Sequence, residues 1–233
     1  MIGLWRFPLK SFGGEALDRV EVGELGLAGD RQWGVLAVAT GKVLTARREP
    51  RLLFASARLA KDGSLDARLP DGSVANDTSL SDWLGYAVRI VRAEPGEHAL
   101  YETPIDFEDE EAHPWFAWDG PEGVFHDSKR TRFSLVSTGT IGEWDLRRFR
   151  TNVIVDGVGE DELVGQRIRV GTVVADVVKQ VDRCVMTTRP QPGIERDLDV
   201  LRSINKERAG NLAVGCVVTQ SGTIAVGDDV ICP

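Results

Sequence analysis

Cysteine is scarce in this chain: Cys184, Cys216 and Cys232 are the only three in 233 residues. An odd number with no C-x-x-C spacing argues against a disulfide scaffold and against a structural zinc site. Long hydrophobic runs are missing as well. None approaches the roughly 18–20 apolar residues that a membrane-spanning helix needs. The start, Met1-Ile2-Gly3-Leu4-Trp5-Arg6-Phe7-Pro8, has no basic flank ahead of an apolar stretch and does not read as a signal peptide. A cytoplasmic location is the expectation. Basic residues are absent from one segment. Between Glu94 and Asp127 stand eleven acids with no lysine or arginine, together with all three histidines, His98, His113 and His126. The rest of the chain carries 28 basic against 25 acidic residues, although the whole is at −8. That remainder suits an anionic ligand but lacks the strong basic patch expected for nucleic acid.

What is present is ordinary globular material, 42% hydrophobic and 27% charged. Most apolar runs are short, β-branched and bounded by Gly, Asp or Pro, which predicts strands. Trp33 to Val38 and Val43 to Thr45 flank Thr40-Gly41 as a hairpin. Further strands are expected at Arg89 to Val91, Phe133 to Val136, Asn152 to Val155, Val173 to Val178, Ala213 to Thr219, Thr223 to Val226 and Val230-Ile231. Helices are few: a short capped one over Asp77 to Leu84 before Gly85, another over Thr138 to Leu146, and a third over Asp197 to Arg208. The third is expected to pack through Leu198, Leu201 and Ile204 or Asn205. Strands at short spacing with Gly-rich turns predict a barrel or paired barrels. The acidic segment, with little periodicity, reads as a boundary, dividing the chain into 1–93 and 94–233.

Four stretches carry chemistry. They are Phe7 to Ser11, Gly26 to Arg31, Phe149 to Asn152 and Val178 to Thr188. Each has a plain reading. Lys10-Ser11 suits a strand end, and Arg31 suits a pair with Asp30. Arg150 and Asn152, two residues apart, share one strand face that solvent can cover. Cys184 alone suits a small buried hydrophobe. Its neighbourhood shifts the balance. Arg183 is adjacent and Lys179 lies five residues back, and positive charge favours the thiolate that attacks or binds metal. Thr187 and Thr188 add hydroxyls. Pro190, Pro192 and Gly193 then turn the strand into a loop, where binding residues concentrate.

These stretches resemble the MOSC (molybdenum cofactor sulfurase C-terminal) family, including proteins like the mitochondrial amidoxime reducing component. Pro8-Leu9-Lys10-Ser11, Gly26-Leu27-Ala28-Gly29-Asp30-Arg31-Gln32-Trp33 and Leu44-Thr45-Ala46-Arg47 are similar to the domain that precedes MOSC domains. Arg148 to Val153, Gly165 to Gly171, Arg183-Cys184-Val185-Met186-Thr187-Thr188 and Gly222 to Asp228 are similar to the MOSC domain itself. The resemblance implies a mainly β fold, a MOSC β-barrel core with an N-terminal β-barrel-like domain and a few short helices. It also implies binding of the pterin-based molybdenum cofactor. Cys184 would ligate molybdenum. Lys10, Ser11 and Arg31 would contact the phosphate end, and Arg150 and Asn152 would face the cofactor. Ser137 would contribute a hydroxyl, and Arg183 and Thr187 join the cofactor-binding candidates beside the cysteine. Pyridoxal phosphate binding attaches only at the level of the wider family. The sequence departs from the pattern at Val181, where many relatives have a second cysteine, and at Arg189-Pro190, where Asp-Pro is frequent. Ala213 stands where Gly is common.

The leading expectation is a molybdenum-dependent reductase of N-hydroxylated or similar small oxygenated substrates, re-reduced by a separate electron-transfer protein. Three alternatives stand beside it. One is a sulfur carrier or sulfurtransferase using a Cys184 persulfide, and another is a non-catalytic cofactor-binding module. The last is a hydrolase pairing Cys184 with His98, His113 or His126, with a metal cluster among those histidines also considered. For residues 94–127 the expectation is an acidic connector or flap bordering the cofactor cleft. Tyr101, Phe107, Trp115, Phe116 and Trp118 would turn inward and the carboxylates outward. No nucleic-acid or membrane partner is expected.

Overall fold

Strands dominate, and they do not respect the order of the chain. The structure is a computed structural model that describes residues 1–105 and 113–232. The first part gives β1 (Gly3–Arg6), β2 (Glu15–Ala16), β3 (Arg19–Gly23), β4 (Gly26–Leu27), β5 (Trp33–Ala37), β6 (Lys42–Val43), β7 (Ser56–Leu59), β8 (Leu65–Arg68), α1 (Asp77–Leu84) and β9 (Val88–Arg92). The acidic segment gives β10 (His98–Pro104) and β11 (Trp115–Glu122). The remainder gives β12 (Phe133–Ser137), α2 (Thr138–Ile141), β13 (Val153–Val155), β14 (Arg167–Val170), β15 (Val173–Asp182), α3 (Asp199–Arg208), β16 (Asn211–Gln220), β17 (Gly222–Ala225) and β18 (Val230–Ile231).

The largest sheet runs β18-β14-β15-β16-β12-β13-β1-β2. Its first strand in sequence, β1, pairs antiparallel with β13, Leu4 opposite Val153. A three-stranded sheet, β17-β3-β4, joins the two ends of the chain again. Leu4, Val20, Val22 and Leu27 therefore share one core with Phe133, Leu135, Ile168, Val214 and Ile224. A second core lies under β5, β9 and α1, around Leu9, Phe12, Val35, Leu52 and Leu80. The mainly β expectation holds, but the barrels do not close: among the described residues no sheet returns to its first strand. The eight-stranded ladder ends on two-residue strands at both edges, and register shifts interrupt β15 against β16, so it lacks the continuous pairing closure needs.

Local chemistry explains the helices. In α1 the Asn76 side chain accepts from Ser79 N–H, and Ser79 reciprocates to the Asn76 N–H. The second helix is shorter than expected, because it stops at Gly142, and a 3₁₀ turn follows over Leu146–Arg148. In α3 the buried face is Val200 and Ile204, one helical turn apart, whereas Leu198 precedes the helix and is exposed.

The acidic segment is not featureless. β10 and β11 form an antiparallel hairpin, Tyr101 opposite Trp118. It packs on the first part of the chain through Ala99 and Tyr101, which meet Val43, Leu36 and Val91. Tyr101 is fully buried and Trp118 half-buried, while Phe116 faces outward. Trp115 lies under the Arg48 guanidinium at 4.7 Å. Phe107 falls outside the described residues.

Candidate functional site

A cavity of about 380 Å³ opens where the first and last parts of the chain meet. Its lining holds six arginines, Arg31, Arg47, Arg132, Arg148, Arg150 and Arg183, against three acids, Glu102, Asp127 and Asp182. Cys184, His126, Asn152 and Thr187 complete the chemically active wall. An acidic protein thus concentrates positive charge in one concave place.

The turn from Gly26 to Arg31 builds one side. Gly29 has φ 83°, a region that favours glycine, and a β-carbon there would also press on Leu59 Cδ1 at 2.4 Å. The turn delivers Asp30 into the interior, where it organises its surroundings. Asp30 accepts from Phe7 N–H at 2.7 Å, from Asn152 Nδ2 at 3.1 Å and from the Arg31 guanidinium. Arg31 also donates to the Arg150 carbonyl at 3.1 Å. Arg150 donates to the Phe12 carbonyl at 2.6 Å, and its Nη2 is buried with no partner. Both guanidiniums lie over the Phe7 ring, Arg31 at 5.1 Å and Arg150 at 4.4 Å from its centroid. Burial first, then Arg31, pulls the Arg150 guanidinium down to about 9. Five described non-glycine residues have positive φ, and Ser11 (72°), Arg31 (51°) and Arg150 (50°) are three of them. Backbone held in this costly region collects at ligand clamps.

Lys10 and Ser11 stand behind that wall rather than on it. Lys10 is 3% exposed and donates to the Phe125 carbonyl at 3.0 Å and to Asp127. Its ammonium sits 4.6 Å over the Tyr101 ring. Burial lowers its pKa, with Asp127 opposing. Desolvation by the surrounding protein acts to raise the Asp127 pKa even though solvent still reaches the side chain, and Lys10, then Arg31 and Arg150, hold the carboxyl below the usual carboxylate range. The Ser11 hydroxyl accepts from Ala46 N–H at 2.8 Å, tying the segment down. Ser137 lies elsewhere. It caps α2, donates to Glu160 at 2.5 Å and is fully buried, while Ser134, three residues earlier on β12, lines the cavity.

Cys184 follows β15 and opens a 3₁₀ turn over Val185–Thr188. Arg183 does not point its donors at the cavity: Nε binds the Leu212 carbonyl at 2.7 Å, and Nη1 the Phe149 carbonyl at 2.8 Å. Thr187 donates to the Cys184 carbonyl at 3.1 Å. Arg148 grips the same loop through the Thr187 and Glu195 carbonyls, at 3.2 and 2.7 Å. The thiolate expected from the neighbouring cations is not favoured. Burial pushes the Cys184 thiol up, outweighing the Met186 N–H, Arg47 and Arg183. Lys179 contributes little, since it is turned to Asp182 at 2.8 Å. Cys216 is buried in the main core and Cys232 is exposed.

The structure therefore brings Arg31, Arg150, Asn152, Arg183, Cys184 and Thr187 to one cavity, Lys10 and Ser11 beneath it, and Ser137 away from it. Asp30, Asp127 and Arg148 were missed. Asp30 was legible as Arg31's neighbour, but Asp127 is 117 residues from its partner and carried no local signal. Among the histidines only His126 borders the cavity, bonded to the Leu25 carbonyl at 3.2 Å. His98 is bonded to the Gly120 carbonyl at 3.2 Å. No cluster of His, Cys, Asp and Glu among the described residues is arranged to hold a metal ion. No helix among them is long and apolar enough to cross a membrane.

Comparison with known proteins places this geometry in a family. Residues 1–116 match the MOSC N-terminal beta barrel domain, and residues 128–231 match the MOSC domain. Among solved structures, the YuaD protein from Bacillus subtilis is 13% identical with a TM-score of 0.49, over 98% of this chain and 91% of that one. YiiM from Geobacillus stearothermophilus is 16% identical with a TM-score of 0.38, over 57% and 71%. A comparison with curated proteins found no match. The chain belongs to the MOSC family, which is associated with molybdenum-cofactor binding or sulfurase-like function.

Proposed function

We propose that the cavity binds the pterin-based molybdenum cofactor, that Cys184 ligates the metal, and that the protein reduces N-hydroxylated or similar small oxygenated substrates. One observation carries the reading. A buried guanidinium with an unpartnered N–H, Arg150, faces a cavity rich in arginine that also contains a thiol. Such a donor set fits a group that joins a phosphate to a soft metal: guanidinium for the phosphate, sulfur for the metal. The volume suits a small-molecule site.

In this reading Arg31 and Arg150 hold the anionic end, with Asn152 and Asp30 fixing their geometry. Arg148, Arg183 and Thr187 hold the loop that presents Cys184. The group, when bound, supplies two-electron exchange of an oxygen atom with the substrate. The chain's part is to orient it, to present a half-buried thiol, and to supply a cationic wall. The electrons come from a separate electron-transfer protein.

The test is molybdenum and pterin content of protein made in a host competent for the cofactor, with amidoxime reduction measured under a chemical electron donor. Wild-type and Cys216→Ala proteins should retain metal and turn over; Cys184→Ala should fold and be inactive. Turnover in Cys184→Ala with a dead Cys216→Ala would sink the assignment. Persulfide on Cys184 without retained molybdenum would turn the reading to sulfur carriage.

A further inference from the structure

We propose that Asp127 gates Lys10: its carboxylate holds the ammonium, and an entering phosphate displaces it and takes the ammonium over. The inference deepens the reading of the cavity as an anion site and rests on it. An ammonium has three N–H bonds. Those of Lys10 are met by the Phe125 carbonyl, the Asp127 carboxylate and the face of the Tyr101 ring. Lys10 is 3% exposed and does not line the cavity. As it stands, no ligand reaches it.

Of its three partners, one is free to leave. Phe125 and Tyr101 are core residues. The Asp127 side chain is 73% exposed, because it faces into the cavity. It sits on the loop between β11 and β12, followed by exposed Lys129 and Arg130. Rotation about its own side-chain bonds takes the carboxylate off Lys10 without moving either core.

The neighbouring cations make the exchange specific to Asp127. Arg31 has its own carboxylate in Asp30, which is fully buried and pinned by Phe7 N–H and Asn152. Arg150 has no carboxylate within hydrogen-bond distance among the described residues, and its Nη2 has no partner. Three cations thus share one fixed and one movable anion. A phosphate dianion first meets Arg150, then competes with a single carboxylate for Lys10. It brings more charge and more acceptor oxygens than the group it replaces.

The test uses the full-length, ligand-free protein and inorganic phosphate, titrated calorimetrically at fixed ionic strength. Asp127→Asn and Asp127→Ser remove the competitor in two ways, and each variant is checked for native near-ultraviolet circular dichroism. Both should bind phosphate about tenfold tighter than wild type, the scale of one lost charge-assisted competitor. In a Lys10→Met background the same gain should fall below about threefold, because only general repulsion is then relieved. An equal gain with and without Lys10 would show long-range repulsion and overturn the gate. Weaker binding in Asp127→Asn would overturn it too, making Asp127 a positioning residue for Lys10. If phosphate binds wild type and is lost in Arg150→Met while Asp127→Asn changes nothing, the anion site stands and the gate fails. If phosphate binds none of the proteins, both fail.

Discussion

A buried guanidinium that leaves a donor idle is costly unless something else uses it. Arg150 is such a group, and its left-handed backbone adds to the cost. If that cost serves ligand binding, stability and affinity must separate on mutation. Arg150→Met should lose tenfold or more in phosphate affinity, about the worth of one charge-assisted hydrogen bond. Its melting temperature without ligand should stay within a few degrees of wild type, roughly 1 kcal/mol or less. Parallel losses in titration and melting would make Arg150 a structural residue instead. His126 allows a prediction in pH. Burial, then Arg31, pulls its pKa from 6.5 down to about 4, so the folded state holds it neutral. The unfolded chain takes up a proton near 6.5 and the folded chain does not until about 4. Stability is therefore whole above 6.5 and falls as pH drops towards 4, by up to about 3 kcal/mol. Denaturant titrations should show this slope in wild type and a flatter one in His126→Gln; identical slopes would mean that His126 is not the source. Single residues differed in how far sequence exposed them. Cys184, Arg31 and Arg150 stood in recognisable short motifs, and the cavity unites them. Ser137 stood in none, and a serine at a strand end reads alike whether it meets a ligand or caps a helix, as it does here. Lys10 was visible, but the carboxylate that closes it off comes from the far side of the acidic segment.

At the scale of elements, the β10–β11 hairpin depends on one ring. Tyr101 packs 4.9 Å from Trp118 and lies against Gly120, where a β-carbon would come within 2.4 Å of its ring. Its hydroxyl is buried with no partner among the described residues. The ring contributes packing and the hydroxyl contributes a penalty. Tyr101→Phe should then equal or exceed wild type in urea unfolding, and Tyr101→Ala should lose about 3–5 kcal/mol by leaving a cavity. Gly120→Ala should cost about 1–3 kcal/mol by overpacking. A loss above about 1 kcal/mol in Tyr101→Phe would mean the hydroxyl is bonded. This hairpin escaped sequence reading for the same physical reason. In β11 the positions that pack include Gly120 and Pro121, which carry no apolar alternation, and the acids around them mask the strand. Elements with strong local signals fared better. The β5–β6 hairpin turns at Thr40-Gly41 as its residues require, and α1 has both of its caps. For α3 the helix and Ile204 on its buried face were legible but Val200 was not, since Leu198 and Val200 compete for that face and the start of the helix decides between them.

On the scale of the molecule, strand pairing crosses the boundary that composition marks near residue 93. A division near residue 93 would assign β1, β3 and β4 to one unit, yet β1 completes the sheet of β12 and β13, and β3 pairs with β17 from Gly222↔Val22 to Ala225↔Arg19. The terminal ammonium donates to the Asp228 carbonyl at 2.6 Å, and Gly227 N–H returns to Met1 at 2.9 Å. Nothing in a linear reading discloses this, because these strands are two to five residues long and β1 and β3 acquire their partners only across the whole chain. The consequence is that the main core is shared. Residues 94–233 alone would expose the faces of Phe133, Leu135, Val153 and Ile224 that Leu4, Val20, Val22 and Leu27 cover. At roughly 1.5–3 kcal/mol for each large apolar side chain, losing four such partners approaches the whole stability of a domain. The fragment 94–233 should therefore be unfolded or aggregated when made alone. Restoring residues 1–93 in trans should recover soluble, folded protein, and the intact chain should unfold in one transition seen alike by far- and near-ultraviolet circular dichroism. A monomeric 94–233 with native near-ultraviolet signal, or two separated transitions in the intact chain, would show instead that the second part holds its core without the first. The cavity would then be an interface between independent domains, free to open, rather than a cleft within one interlocked body.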